Sequence, residues 1–176
     1  MLCDLIEGCN ASKFQGKKEK CAKYFPQENE KMTTFGSTKI TFIERTTSEL
    51  GFVVSSWKVE DRNRQRIIRH LHCKTWPDHS APKCPSVVVG IHREITKASH
   101  QTPIVVHCSA GVGRTCTLIG EIVELSAEVL LERIRRRRNV SGVAVMRWLR
   151  DRRCGAIQKS IQFVFMHYIV VEILVQ

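Results

Sequence analysis

Cys108 and Arg114 stand six positions apart, separated only by Ser109, Ala110, Gly111, Val112 and Gly113. With eight cysteines and sixteen arginines, a Cys-x5-Arg pair arises by chance about once in a chain of this length, so spacing alone carries little. The context is specific. Pro103-Ile104-Val105-Val106 reads as a short, fully buried strand, and a helix opens at about residue 114. Small residues and two glycines let successive backbone N–H groups turn inward into an anion-binding concavity. The helix N-terminus adds its positive dipole end. A phosphate seated there meets amides and a bidentate guanidinium from Arg114. The same groups lower the pKa of Cys108, whose thiolate then points at phosphorus.

A phosphoryl transfer needs more than a nucleophile, because a poor leaving oxygen needs a proton at neutral pH. Asp78, after a proline in a turn cluster over 75–85, is a candidate for that acid, set against the plain reading of an aspartate in an ordinary Pro-Asp turn. The elements that must position these groups are legible in outline. Ile40 and Phe42 alternate with polar neighbours; Val53, Trp57 and Val59 share one face of 52–59; Ile67, Leu71 and Cys73 share one face of 66–73. Pro85-Ser86 opens a helix with Val88, Ile91 and Ile95 on one side. Two more helices are expected near 142–153 and 159–175, the latter a core helix. Mixed strands with interspersed helices indicate an α/β or α+β domain.

At His107-Cys108-Ser109-Ala110-Gly111-Val112-Gly113-Arg114-Thr115 the chain resembles the protein tyrosine phosphatases, and Thr75-Trp76-Pro77-Asp78-His79 resembles their mobile Trp-Pro-Asp loop. The stretches 20–27, 86–95 and 150–165 share the family's texture. The resemblance implies an α/β domain with a central mixed sheet flanked by helices, lacking N-terminal elements, and covering 1–176 as a partial catalytic domain. It implies hydrolysis of phosphotyrosine in signalling proteins through a cysteinyl-phosphate. Cys108 would be the nucleophile, Arg114 and the amides of 109–114 the phosphate cradle, and Asp78 the acid. Gln158 and Gln162 would position the hydrolytic water, although Lys159 stands where the family usually has threonine. The same resemblance makes Thr115 a hydrogen-bond donor to the sulfur and His107 a brace for the loop. By the same resemblance Trp76 belongs to the mobile loop and supports the reacting groups, Glu7 would pair with the loop arginine, and Lys20 would contact the closed mobile loop. Neither a metal nor a cofactor is implied. Alternatives stay open: a dual-specificity phosphatase, which usually lacks Trp-Pro-Asp and the glutamine pair, or an inactive or weakly active phosphotyrosine-binding fragment.

Composition agrees with one domain. The 176 residues are 43% apolar, enough for a core. The net charge is +11, of which +7 falls in 132–153, so a general nucleic-acid surface is not the first reading. Arg133 and Arg135–Arg138 read as a solvated helix end. His70, His72 and Cys73 read as an alternating strand face rather than a zinc site. The opening MLCDLIEGC has no basic region ahead of an apolar run, and the longest apolar stretch, Ile161 to Val175, is short for a span of ~20 residues. A cytoplasmic protein with free thiols and phosphotyrosine-containing partners is expected.

Two departures from the family carry consequences. Cys116 stands where a glycine is common and is expected to crowd the helix start. Nothing resembles the family's phosphotyrosine-recognition loop, which lies in a stretch that precedes the segment Met1 to Gly8. Without it, residues 1–176 alone should be poorly soluble and weakly active, with apolar surface uncovered around Ile104–Val106 and little preference for phosphotyrosine over phosphoserine peptides. A soluble, cooperatively melting 176-residue protein with strong phosphotyrosine selectivity would overturn that expectation.

Overall fold

A computed structural model describes residues 1–5, 21–26, 28–98, 102–124 and 141–175. Six strands form one mixed sheet: β1 (Leu2–Asp4), β2 (Met32–Phe35), β3 (Thr38–Thr47), β4 (Val53–Asp61), β5 (Arg64–His72) and β6 (Val105–His107). Their order is β2-β3-β4-β5-β1-β6. β2 to β5 run antiparallel through short turns, whereas β1 is parallel to both β5 and β6. Among the described residues four helices accompany the sheet: α1 (Ser86–Thr96), α2 (Arg114–Glu124), α3 (Gly142–Arg152) and α4 (Ser160–Val175). The expected central mixed sheet with flanking helices is therefore found. Among the described residues no helix is long and apolar enough to cross a membrane.

Local chemistry explains several boundaries. Gly36 at φ +58° opens the two-residue turn between Phe35 and Thr38, a geometry that glycine adopts freely. Arg62, at φ 50°, serves the same purpose between Asp61 and Arg64 without a glycine to announce it. Pro85 sits just before α1, whose Val88, Ile91 and Ile95 are buried as their spacing predicts. Ser141 caps α3 by accepting from the Ala144 N–H at 3.3 Å.

Parallel pairing gathers the chemistry. Because β5 and β6 both run parallel to β1, their C-terminal ends lie at one end of the sheet, and the loops after His72 and His107 emerge together. Cys3 pairs with Leu71 on one side and Val106 on the other. Beneath that end lies a core of Cys3, Leu5, Leu71, Trp76, Ile91 and Leu118, extended by Phe165 and Ile169 of α4. A second cluster, Cys116, Val145, Leu149, Ile157 and Met166, joins α2, α3 and α4.

Three expectations need correction. The strand at 103–106 was expected to be fully buried; β6 instead forms the outer strand, with Ile104 37% and Val105 55% exposed. α4 buries Gln162, Phe165, Met166, Ile169 and Val170, but its other side carries Val164, Tyr168, Val171 and Leu174 in solvent, so it is a core helix on one face only. Ile67 is 72% exposed although Leu71 and Cys73 on the same face are buried, because only the C-terminal half of β5 lies under the helices.

The crossing of α2 and α4 is held close by Gly120. A Cβ there would lie 2.5 Å from Met166 Sδ and 3.0 Å from Leu149 Cδ1. Gly120→Val should therefore force the helices apart and cost about 1–3 kcal/mol. Chemical denaturation checks this: an unchanged midpoint would show that the contact does not set the spacing.

Candidate active site

Residues 108–113 leave β6 and turn directly into α2. The four carbonyls from Ala110 to Gly113 have partners outside the loop. Ala110 O accepts from Arg153 Nη2 at 3.1 Å and Gly111 O from the Cys116 thiol at 3.7 Å. Val112 O accepts from Ile157 N at 2.9 Å, and Gly113 O from the Thr117 N–H and hydroxyl, each at 3.0 Å. Carbonyls tied outward leave amides to face inward, the polarity an anion site requires. Gly111, at φ +70°, supplies the backbone reversal. Cys116 thus does not crowd the helix start: it donates to the loop and packs in the second core cluster.

Cys108 lies at the base of this loop, 8% exposed. Burial pushes its thiol up, but the Thr115 hydroxyl and N–H, the Gly111 N–H and the Arg114 charge outweigh that and hold it below its ordinary value. The Thr115 hydroxyl is buried without a well-formed hydrogen bond, and the Cys108 sulfur is the acceptor it faces. Cys116 behaves oppositely: burial and the nearby Cys108 charge push its thiol up.

Arg114 is 2% exposed. Its Nη1 donates to Trp76 O at 2.9 Å and its Nη2 to Asp78 Oδ1 at 3.2 Å, while Nε is buried with no partner among the described residues. One guanidinium therefore ties the loop at 75–80 to the loop at 108–113 and keeps a donor in reserve. Trp76, fully buried, closes its own loop by donating from Nε1 to Ser80 O at 2.8 Å and meets Phe165 edge-on at 5.6 Å.

Both glutamines reach the same place. A Cβ on Gly113 would lie 2.6 Å from Gln158 Oε1 and 3.0 Å from Gln162 Nε2, so the two carboxamides sit directly over the loop. Gln162 Oε1 accepts from the N–H groups of Gln158 and Lys159 at 3.1 and 3.2 Å, at the start of α4. That fixes which end of the amide faces the loop: Nε2, buried and without a partner among the described residues.

His107 is held from outside the motif. Its Nε2 lies 2.7 Å from the Tyr24 hydroxyl, which also lies 3.3 Å from His70 Nε2. Tyr24 and Arg153 escaped sequence reasoning. Tyr24 acts across 83 residues, and Arg153 was lost in a run of arginines. The expected Glu7 and Lys20, and the arginines at 133–138, lie outside the described residues. The structure gathers Cys108, Arg114, Asp78, Trp76, Thr115, Gln158 and Gln162 around the loop at 108–113.

The sequence profile described as Protein-tyrosine phosphatase matches residues 1–172. The chain belongs to that family. Among phosphatase relatives, it is 34% identical over 167 residues to tyrosine-protein phosphatase corkscrew of Drosophila melanogaster, covering 87% of this chain and 19% of that one. It is 29% identical over 163 residues to human receptor-type tyrosine-protein phosphatase C, covering 90% and 12%. The solved structure of PTPN18 in complex with HER2-pY1248 phosphopeptides superposes with a TM-score of 0.79 at 22% identity, covering 98% of this chain and 62% of that one. The chain thus spans less than two thirds of the phosphatases it matches.

Alkylation by iodoacetate as a function of pH tests the electrostatics of this phosphatase loop. A lowered folded-state pKa means that Cys108 reaches half-maximal reactivity below the pH of an ordinary thiol, about 8.5. Thr115→Val, which removes a donor to the sulfur, should move the midpoint upward. An unshifted midpoint in the variant would remove Thr115 from that role.

Proposed function

We propose that the chain catalyses hydrolysis of phosphotyrosine in proteins through a cysteinyl-phosphate. The observation that carries this reading is the lowered Cys108 thiol at the base of a loop whose four carbonyls from Ala110 to Gly113 are tied outward, with the Arg114–Asp78 pair beside it. The Cys108 thiolate attacks phosphorus in line, forming the P–S bond as the P–O bond to the aryl group breaks. The loop amides and Arg114, its spare Nε included, take the charge of the phosphoryl oxygens. Asp78 gives its proton to the departing phenol oxygen. A phosphate dianion entering between Arg114 and Asp78 displaces their ion pair, and its charge favours the protonated carboxyl that this step needs. In the second half a water beneath Gln158 and Gln162 attacks phosphorus, the P–S bond breaks, and Asp78 accepts the water's proton.

Support for a protein substrate comes from PTPN18, whose solved complex holds phosphopeptides. Residues 1–176 then act as part of a catalytic domain, and a cytoplasmic setting suits both the substrate and the free cysteines.

Two variants separate nucleophile from acid. Cys108→Ser should abolish turnover of an aryl phosphate while vanadate still binds; residual turnover above a few per cent would exclude Cys108. Asp78→Ala should lower kcat by ~10²–10⁴ for phosphotyrosine and less for a substrate with a better leaving group. Equal losses on both would exclude Asp78 as the acid. The unaltered chain should give a bell-shaped kcat/KM profile, rising with thiolate or substrate ionisation and falling as Asp78 deprotonates.

A further inference from the structure

Asp78 meets a basic group at each of its oxygens. Arg114 Nη2 donates to Oδ1 at 3.2 Å, and His79 Nε2 lies 3.9 Å from Oδ2. The two neighbours fare differently in the proposed reaction. A phosphate dianion that enters between Arg114 and Asp78 takes over the guanidinium. His79 belongs to the same loop as Asp78 and stays beside the other oxygen. With substrate bound, the imidazole is therefore a basic group that remains on the acid.

The backbone is strained at this residue. Buried Trp76 donates from Nε1 to Ser80 O at 2.8 Å, so residues 77–79 span a tight ring. Within it His79 sits at φ +56°, in the left-handed region that a β-carbon disfavours. Glycine takes that conformation freely and asparagine more readily than most residues, but neither has an ionisable side chain. A strained residue whose ring lies against the general acid marks a functional position.

Other elements also face the ring. In the open cleft beside the phosphate loop His79 is joined by Arg150 of α3, by Cys154, and by Gln158 and Lys159 just before α4. Arg150 and Lys159 disfavour charge on the imidazole, and Asp78 favours it. An imidazole changes charge between about pH 5 and 8, across the range in which the acid of an aryl phosphatase must work.

We infer that His79 is a positioning residue for the general acid: its imidazolium holds Oδ2 of Asp78, leaves Oδ1 toward the phosphate loop, and sets the pH at which Asp78 stops giving its proton. The inference rests on the phosphotyrosine reading of the site. A positive charge beside Asp78 favours its carboxylate, so the acid loses its proton at lower pH than it would alone. Without the imidazolium, Asp78 stays protonated to higher pH and the active range widens on its basic side.

His79→Asn and His79→Gly both suit the left-handed backbone and remove the charge. In kcat profiles on a phosphotyrosyl peptide, each should move the basic limb up by about 0.2–0.7 of a pH unit, the range for partly exposed ion pairs. The difference from the unaltered chain should shrink at ~1 M salt, which screens such pairs. A role in loop shape alone would lower kcat at every pH and leave the limb in place, and that result overturns the proposal. Coupling is reciprocal, so the imidazole resonance of His79, assigned by its loss in His79→Asn, should titrate at lower pH in Asp78→Asn by a similar amount. An unchanged His79 titration in Asp78→Asn likewise overturns it. If the unaltered chain turns over no aryl phosphate, the phosphotyrosine reading fails. The His79 titration in Cys108→Ser with inorganic phosphate bound, compared with and without Asp78→Asn, then decides the coupling by itself.

Discussion

A buried guanidinium organises this molecule. Removing a cation from water costs several kcal/mol, and the cost is tolerable only where hydrogen bonds and an opposite charge compensate. Arg114 obtains one of each from a single short segment, the carbonyl of Trp76 and the carboxylate of Asp78. The loop after β5 is therefore drawn over the loop after β6, and Trp76 seals the arrangement against Phe165. Among the described residues the compensation is incomplete, because Nε has no partner there. An arginine left one donor short, beside amides that face the same space, favours any small anion able to complete it.

The neighbouring cysteines show how finely position governs reactivity. Cys108 and Cys116 are eight residues apart, both buried, and both near Gly111. The first meets N–H and O–H donors and a cation. The second donates to a carbonyl oxygen among apolar side chains, where burial and the Cys108 charge outweigh Arg153 and the Ile157 N–H. Burial acts on both in the same direction, and the balance of polar neighbours decides that one thiol's pKa falls and the other's rises.

Sequence reading succeeded where local chemistry decides the outcome. The phosphate loop, the turn around Asp78 and the buried faces of α1 and β4 follow from glycine, proline and periodicity within a few residues. It failed where the deciding partner is remote. β1 was not anticipated, because Leu2-Cys3-Asp4 becomes a strand only through pairing with residues about 68 and 103 positions away. α4 has apolar residues on every side, so its periodicity could not separate the face packed on Trp76 from the face in solvent. Ile67 follows the alternation correctly and is still exposed, since alternation does not say how far along a strand the helices reach. The braces of the site, Tyr24 on His107 and Arg153 on Ala110, are likewise long-range contacts.

The place of β1 bears on how the chain acquires its structure. Three residues at the start of the sequence wedge between two strands that come much later, with Met1 O accepting from Val105 N and Leu5 N donating to His107 O. Contacts of such separation carry a large loop-closure entropy and slow the search for the native arrangement. During synthesis the hairpins β2 to β5 can zip from local pairs, but the parallel half waits until residue 107 has emerged. The phosphate loop hangs from β6, so the anion pocket is among the last parts to form. A chain caught short of that step holds most of its sheet and none of its chemistry.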